Sequence, residues 1–276
     1  RTAVAGEIVA VDGKALRRAL DRGAGQALPY MVSAWATENG LALGQVKVDE
    51  KSNEITAIPA LLRSIELAGC IVTIDAMGCQ KKIAREIVDA DADYALSLKG
   101  NQETVHDEVK SYLDDALARW AKAPASVPEL DYYETVEKDH GRIETRRFWQ
   151  SDQTEWFADR GQWEKLRSFG VVESIRDIKG SVTTDRRYYL TSLSRDAKRF
   201  ARASRRHWGV ENSLHWVLDV VFKEDQSRAR AGFAAQNLAT LRRLAINALK
   251  REPSKRSMRL KVKQAGWNND YLRAVL

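Results

Sequence analysis

Apolar residues in the first hundred positions fall into short β-branched runs separated by helical spacing. Ile8-Val9-Ala10-Val11 is a buried-strand run closed by Asp12-Gly13. Tyr30 to Ala36 and Leu41 to Val48 read as two further strands, with Asn39-Gly40 between them as a hairpin turn. Ile55 to Leu67 has the spacing of a helix and stops before Gly69. Ile71-Val72-Thr73-Ile74 is a second apolar strand closed by an acid, Asp75. Lys81 to Val88 predicts a helix, Tyr94 to Leu98 a strand and Glu103 to Trp120 another helix. A hairpin meander followed by strand–helix units predicts an α/β class with a mixed sheet and helices on its faces.

The period changes to two after the Pro-containing stretch Ala123 to Pro128. Tyr132 to Lys138 and Arg142 to Gln150 flank His140-Gly141, and Val171 to Lys179 and Thr183 to Leu193 flank Gly180, which predicts two hairpins. From Asp196 onward the pattern is helical, from Ala197 to about Phe222 and then from Asn237 to Arg251, where Pro253 ends it. Lys255 to Lys263 is a basic segment.

Composition narrows the class of molecule. Hydrophobic residues at 44% and charged residues at 30% suit an ordinary globular chain of 276 residues. No apolar run is long enough for a membrane span and no signal peptide is visible, so a cytoplasmic protein without a membrane partner is expected. Two cysteines, Cys70 and Cys79, exclude a disulfide scaffold, and Cys79 lacks the His–acid partners of a nucleophile. The chain starts at Arg1, so a preceding segment is expected. Residues 1–130 carry 15 basic and 19 acidic side chains, residues 131–195 carry 12 of each, and residues 196–276 carry 18 against 7. A positive field confined to the last third suits either a polyanion such as nucleic acid or a solubilising tail.

Three acids stand out. Asp12 and Asp75 each close a strand, where ligands of α/β proteins bind, although Asp also caps turns. Around a helix turning about 100° per residue, Phe200, Ser204, Leu218 and Phe222 fall within about 20° of Glu211, which places Glu211 in the face to be buried. A buried carboxylate must be paired, protonated or bound to a metal. A structural pair with His207, His215 or an arginine is one reading. A shared cation site with Asp12 and Asp75 is the other, and all-oxygen ligands select Mg²⁺ or Mn²⁺, with two ions able to clamp the attacking and leaving oxygens of a phosphodiester. Three carboxylates about 4 Å apart would repel by about 4 kcal/mol per pair, so convergence without metal is disfavoured.

With those residues in place the sequence resembles the H-repeat-associated family of bacterial insertion-sequence DDE transposases. The matching stretches are Val11-Asp12-Gly13-Lys14, Lys51-Ser52-Asn53-Glu54-Ile55, Thr73 to Gln80, Leu98 to Gln102, His140 to Arg146 and Arg206 to Trp216. The resemblance implies an RNase H-like catalytic domain with a β-rich insertion before the helix that bears the last acid. Its parts would be residues 1–124 and 196–252 for the core, 125–195 for the insertion and 253–276 for a basic C-terminal segment. It implies Asp12, Asp75 and Glu211 as the metal-binding triad for Mg²⁺ or Mn²⁺, with two ions expected. It further implies cleavage and strand transfer on double-stranded DNA at element ends and target, with homodimeric synapsis by analogy. The Tyr and Arg that many relatives place before the Glu, and the Lys or Arg after it, have no counterpart around Glu211. A nuclease of the same fold and a domesticated DNA-binding protein are the alternatives.

Lys14 and Lys99 beside the strand ends are candidates for phosphate contact or are simply solvated. His140 and Arg142 form a hairpin tip that would either reach DNA or only turn the chain. Arg205, Arg206, Arg228 and Arg230 bracket the Glu helix and are expected to touch DNA. Trp208 and Trp216 are expected to pack in the core rather than stack on a base, and Asp219, Glu224 and Asp225 to be solvated.

Overall fold

The computed structural model describes residues 5–19, 28–48, 53–139 and 141–276. The chain divides into two compact units, residues 1–68 with 206–276, and residues 69–205.

The first unit is built on an antiparallel meander, β1 (Ile8–Ala15), β2 (Tyr30–Ala36) and β3 (Leu41–Lys47), in the order β3-β2-β1. The Asn39-Gly40 turn closes the β2–β3 hairpin, with Gly40 in the left-handed region at φ +65° that a side chain disfavours. Helix α1 (Glu54–Arg63) follows β3 and stops four residues short of the predicted Leu67. Its Leu61 and Ile65 neighbour lie over Gly44 of β3, where a Cβ would stand 3.1 Å from both side chains.

The second unit carries the strand order β4-β5-β9-β8-β7-β6. Strand β4 (Ile71–Ile74) pairs in parallel with β5 (Asp93–Leu98), and α2 (Lys81–Asp89) makes the crossover that a parallel pair requires. Helix α3 (Glu103–Lys122) leads to β6 (Leu130–Asp139), β7 (Arg142–Ser151), β8 (Ser168–Ile178) and β9 (Ser181–Thr191). These four are consecutive antiparallel neighbours, and β9 pairs with β5. The base of this ribbon is aromatic, with Phe148, Tyr189 and Phe200 packed together. Its outer length is laced by ion pairs: Glu134–Arg147 at 2.9 Å and Arg186–Glu173 at 2.7 Å on one face, Arg146–Glu137 at 3.0 Å and Arg176–Glu144 at 3.1 Å on the other. The mixed α/β class with a β-rich stretch before the Glu-bearing helix is therefore as expected from the sequence.

The long helix predicted from Ala197 to Phe222 is not uniform. Helix α4 (Ala197–His207) is α-helical, but Val210–His215 and Val217–Val221 are wound as π-helix. The Trp216 amide donates to the Glu211 carbonyl and the Phe222 amide to the Val217 carbonyl, both five residues back. Residues Val210, Leu214, Val217 and Leu218 bury themselves against Ala10, Trp35 and Ile246. Helix α5 (Ala234–Arg251) completes that core.

The basic segment after Pro253 is also ordered, as α6 (Met258–Trp267), followed by α7 (Asn269–Val275), neither of which was predicted. Lys261 is buried there. Its Nζ donates to the carbonyls of Leu249 at 3.0 Å and Glu252 at 2.6 Å, satisfying acceptors left over at the end of α5. Among the described residues no helix is long and apolar enough to cross a membrane.

Hydrogen bonds from Ser254 and from Lys261 hold the Glu252 carboxyl down at about 2. A carboxylate depressed from 4.5 adds stability above its unfolded value, and that stability is lost as pH falls toward 2. Glu252→Gln should therefore melt with a shallower pH dependence than the wild type between those two values, and thermal melts across that window check it.

Candidate functional site

Strand β1 runs on to Ala15, so Asp12 lies inside the strand rather than at its end, paired in register with Ser33 of β2. Strand alternation puts Lys14 on the same face, two residues on. Helical residues of the π-wound segment lie opposite. Together Asp12, Lys14, Glu211, Asn212, His215 and Asp219 line a cavity of about 610 Å³ within the first unit, with Tyr30 and Trp216 also in its wall. The fold thus brings Asp12 and Glu211 to the wall of one cavity.

It does so differently from the expectation. Glu211 is exposed, not buried. The helical wheel assumed a constant α-turn. With i→i+5 winding, the buried set Val210, Leu214, Val217 and Leu218 lies to one side of Glu211 and frees its carboxylate to face the cavity and solvent. The same change leaves Trp208 at 36% and Trp216 at 55% exposure, so neither is the core residue predicted.

Charge in the cavity is organised around Lys14. Its side chain is only 8% exposed, and Nζ stands 2.8 Å from both Asp219 and Asp225. The ammonium is committed to these two acids rather than presented to a phosphate. Asp219 and Asp225 are correspondingly not the solvated acids predicted, and Glu224 is fully buried, its Oε1 3.3 Å from Nη1 of Arg243. Arg243 also donates to Ser33 Oγ at 3.2 Å, behind the strand pair that carries Asp12. His215 places Nδ1 3.5 Å from Asp12 Oδ2. Burial, then Lys14 and Arg243, push its imidazole down to about 4, so the ring is neutral near pH 7 and can steady a carboxylate without adding charge.

Asp75 belongs to the second unit. It follows β4, is half-buried, and its Oδ1 accepts the Met77 amide at 3.1 Å, capping the turn Ala76–Gly78. The amides of Asn101 and Gln102 brace that turn by donating to the carbonyls of Ala76 at 2.6 Å and Cys79 at 3.1 Å. Lys99, just before them, is exposed. Cys79 is buried, and burial pushes its thiol up, as suits a structural residue. Among the described residues no three His, Cys, Asp or Glu side chains are grouped to hold a metal ion.

The remaining candidates fare unequally. His140 lies outside the described residues. Arg142 is exposed with Nη2 3.5 Å from Glu144, and Arg205 is held 2.8 Å from Glu137, so neither is the uncommitted cation expected at a DNA contact. Arg206 and Arg228 are exposed, and Arg230 is exposed with Nε donating to the Arg18 carbonyl at 3.3 Å. The residues that sequence reasoning missed are Tyr30, Asn212 and Arg243. Only Asn212, beside Glu211, carried a local signal.

A family model described as "Transposase DDE domain" matches residues 5–248. The chain is 42% identical over 279 residues to a putative transposase YncI of Escherichia coli O157:H7, spanning 98% of this chain and 69% of that protein. It is 38% identical over 276 residues to the H repeat-associated putative transposase YhhI of Escherichia coli K12, spanning 98% and 71%. A cryo-EM structure of a piggyBac transposase synaptic complex with hairpin DNA matches with a TM-score of 0.48 and 9% identity, over 99% of this chain and 52% of that one.

Two substitutions probe the cavity. A Cβ on Gly13 would meet the Tyr30 ring at 2.3 Å and Glu54 Oε1 at 2.8 Å, so Gly13→Ala should destabilise by about 1–3 kcal/mol. Gly161→Ala, where nothing lies within 4 Å, should stay within about 0.5 kcal/mol. Lys14→Met strands two carboxylates and should cost about 3 kcal/mol. Urea unfolding measures all three.

Proposed function

The chain belongs to the transposase DDE-domain family, and from that premise we propose that it catalyses metal-dependent cleavage and strand transfer on double-stranded DNA at the ends of an insertion element. The observation that supports this reading most is the cavity of the first unit. Asp12 and Glu211, 199 positions apart in sequence, line it together.

DDE transposase domains generally use divalent metal ions. The donor set fits a hard cation in kind: Asp12, Glu211 and Asn212 offer only oxygen from the carboxylates and the amide, with no thiolate nearby to select a softer ion. In this reading Asp12, Asp75 and Glu211 hold one or two Mg²⁺ or Mn²⁺ ions. Such an ion supplies charge neutralisation at the scissile phosphate.

The chain's own residues do the rest. Exposure of Glu211 leaves its carboxylate oxygens open to a cation without the cost of a buried charge. Neutral His215 steadies Asp12 from behind. Lys14 fixes β1 to the segment that carries Asp219, so that the two cavity walls keep their spacing. Arg17, 77% exposed at the cavity rim, is free to meet a phosphate oxygen on its outer side while its Nε stays 3.5 Å from Asp225. Phosphoryl transfer of this kind needs positioning and charge stabilisation rather than a covalent protein intermediate.

The test is a duplex substrate bearing the element ends, incubated with Mg²⁺ or Mn²⁺. Cleaved and joined products are expected from the wild type. Asp12→Asn, Asp75→Asn and Glu211→Gln should each lower product by roughly two orders of magnitude or more while the fold, read by circular dichroism, is retained. Hydrolysis without joining assigns a nuclease instead. Binding without cleavage assigns a DNA-binding protein, and unchanged product in the three variants overturns the triad.

A further inference from the structure

Helix α6 and the turn before it carry one part of the positive charge of the last third. Residues 253–269 hold five basic side chains and no acidic one. Lys261 is turned inward to cap α5, and Met258 packs against the core that includes Ile246. This seats one face of the helix and fixes which residues face out. Arg259, Lys263 and Trp267 follow at i, i+4 and i+8 as one outer stripe, and Arg256 stands in the turn just before the helix. All four are exposed, Trp267 at 67% and the adjacent Leu260 at 41%.

These cations differ from those of the β-ribbon in how they are neutralised. In the β-ribbon of the second unit Arg146, Arg147, Arg176 and Arg186 each face a carboxylate at 3.1 Å or less. Lys255, Arg259 and Lys263 have no ion-pair partner among the described residues, and Arg256 contacts only the neutral amide of Gln264. A solubilising surface needs charges of both signs interspersed. A stripe of one sign, seated on a packed helix and flanked by an exposed indole, presents a fixed array to a polyanion.

We infer that the outer face of α6, with the turn that leads into it, is a docking surface for the phosphate backbone of duplex DNA, built from Lys255 in that turn and Arg259 and Lys263 on the helix, and separate from the cavity of Asp12 and Glu211. This rests on the DNA-directed function proposed above and assigns the backbone contact to α6 rather than to Arg142 and Arg205. Backbone contacts of this kind hold the duplex in register while base contacts and chemistry occur elsewhere.

The experiment is a fluorescence-anisotropy titration of the full chain with a labelled duplex, in metal-free buffer at several salt concentrations. The wild type should bind with a steep salt dependence. The triple variant Lys255→Gln, Arg259→Gln, Lys263→Gln should lose at least about ten-fold in affinity, and its slope of log affinity against log salt should be shallower by about three. Its melting temperature should match the wild type, since none of the three side chains holds a partner in the fold. The pair Arg142→Gln, Arg205→Gln should bind as the wild type does. If the wild type binds and the triple variant keeps the same slope and affinity, the assignment to α6 is overturned and the proposed activity stands. If the wild type shows no salt-dependent duplex binding, both readings fail together.

Discussion

The buried ammonium of Lys14 is the interaction on which the first unit's site depends. It sits two residues after Asp12 on one strand and reaches Asp219 and Asp225 at 2.8 Å, near the end of the π-wound segment that carries Glu211. A charge this buried is tolerable only when it is paired on more than one side. Having one carboxylate partner inside the π-wound segment and another just after it forces the strand and the helical segment into one arrangement. Everything that faces the cavity takes its place from that arrangement: the Asp12 carboxylate, the His215 ring behind it and Glu211 across from it. A second ion pair, Glu224 with Arg243, repeats the logic one layer deeper and ties helix α5 to Ser33 of β2.

Much of the fold was legible because its signals are local. The Asn39-Gly40 turn, the apolar run before Asp75 and the alternating segments that became β6 to β9 depend on residues within a few positions of one another. The cap that Asp75 places on the Met77 amide is equally local. Glu211 was expected in a buried helix face and is exposed. The wheel treated the helix as uniform, whereas packing of Val210, Leu214, Val217 and Leu218 against Ala10 and Trp35 is accommodated by a wider turn. The two tryptophans were misassigned by that same phase error. Lys14 could not be read as a buried residue at all, since its partners lie more than two hundred positions away. The helices after Pro253 were hidden because a lysine-rich stretch looks solvated until one of its lysines is seen capping a neighbour.

Charge in this chain is divided between two uses. Along the β-ribbon, acids and arginines alternate across strands and cancel, which explains why residues 131–195 carry no net charge. In the last third Arg243 and Lys261 are turned inward and neutralised by Glu224 and Glu252. Arg259 and Lys263 are held outward by a helix whose inner side is already occupied. Net charge alone did not separate these uses; the pairing did.

Strand β6 ends the strand order of the second unit and so leaves one side of its backbone unpaired. An open strand of ten residues is ordinarily a template for sticking to a copy of itself. Here Glu134 and Glu137 are anchored laterally to arginines of β7, and Glu137 also to Arg205. An incoming strand would crowd those bridges and meet Asp131 and Asp139 besides. The border is thereby guarded against fibre-like growth.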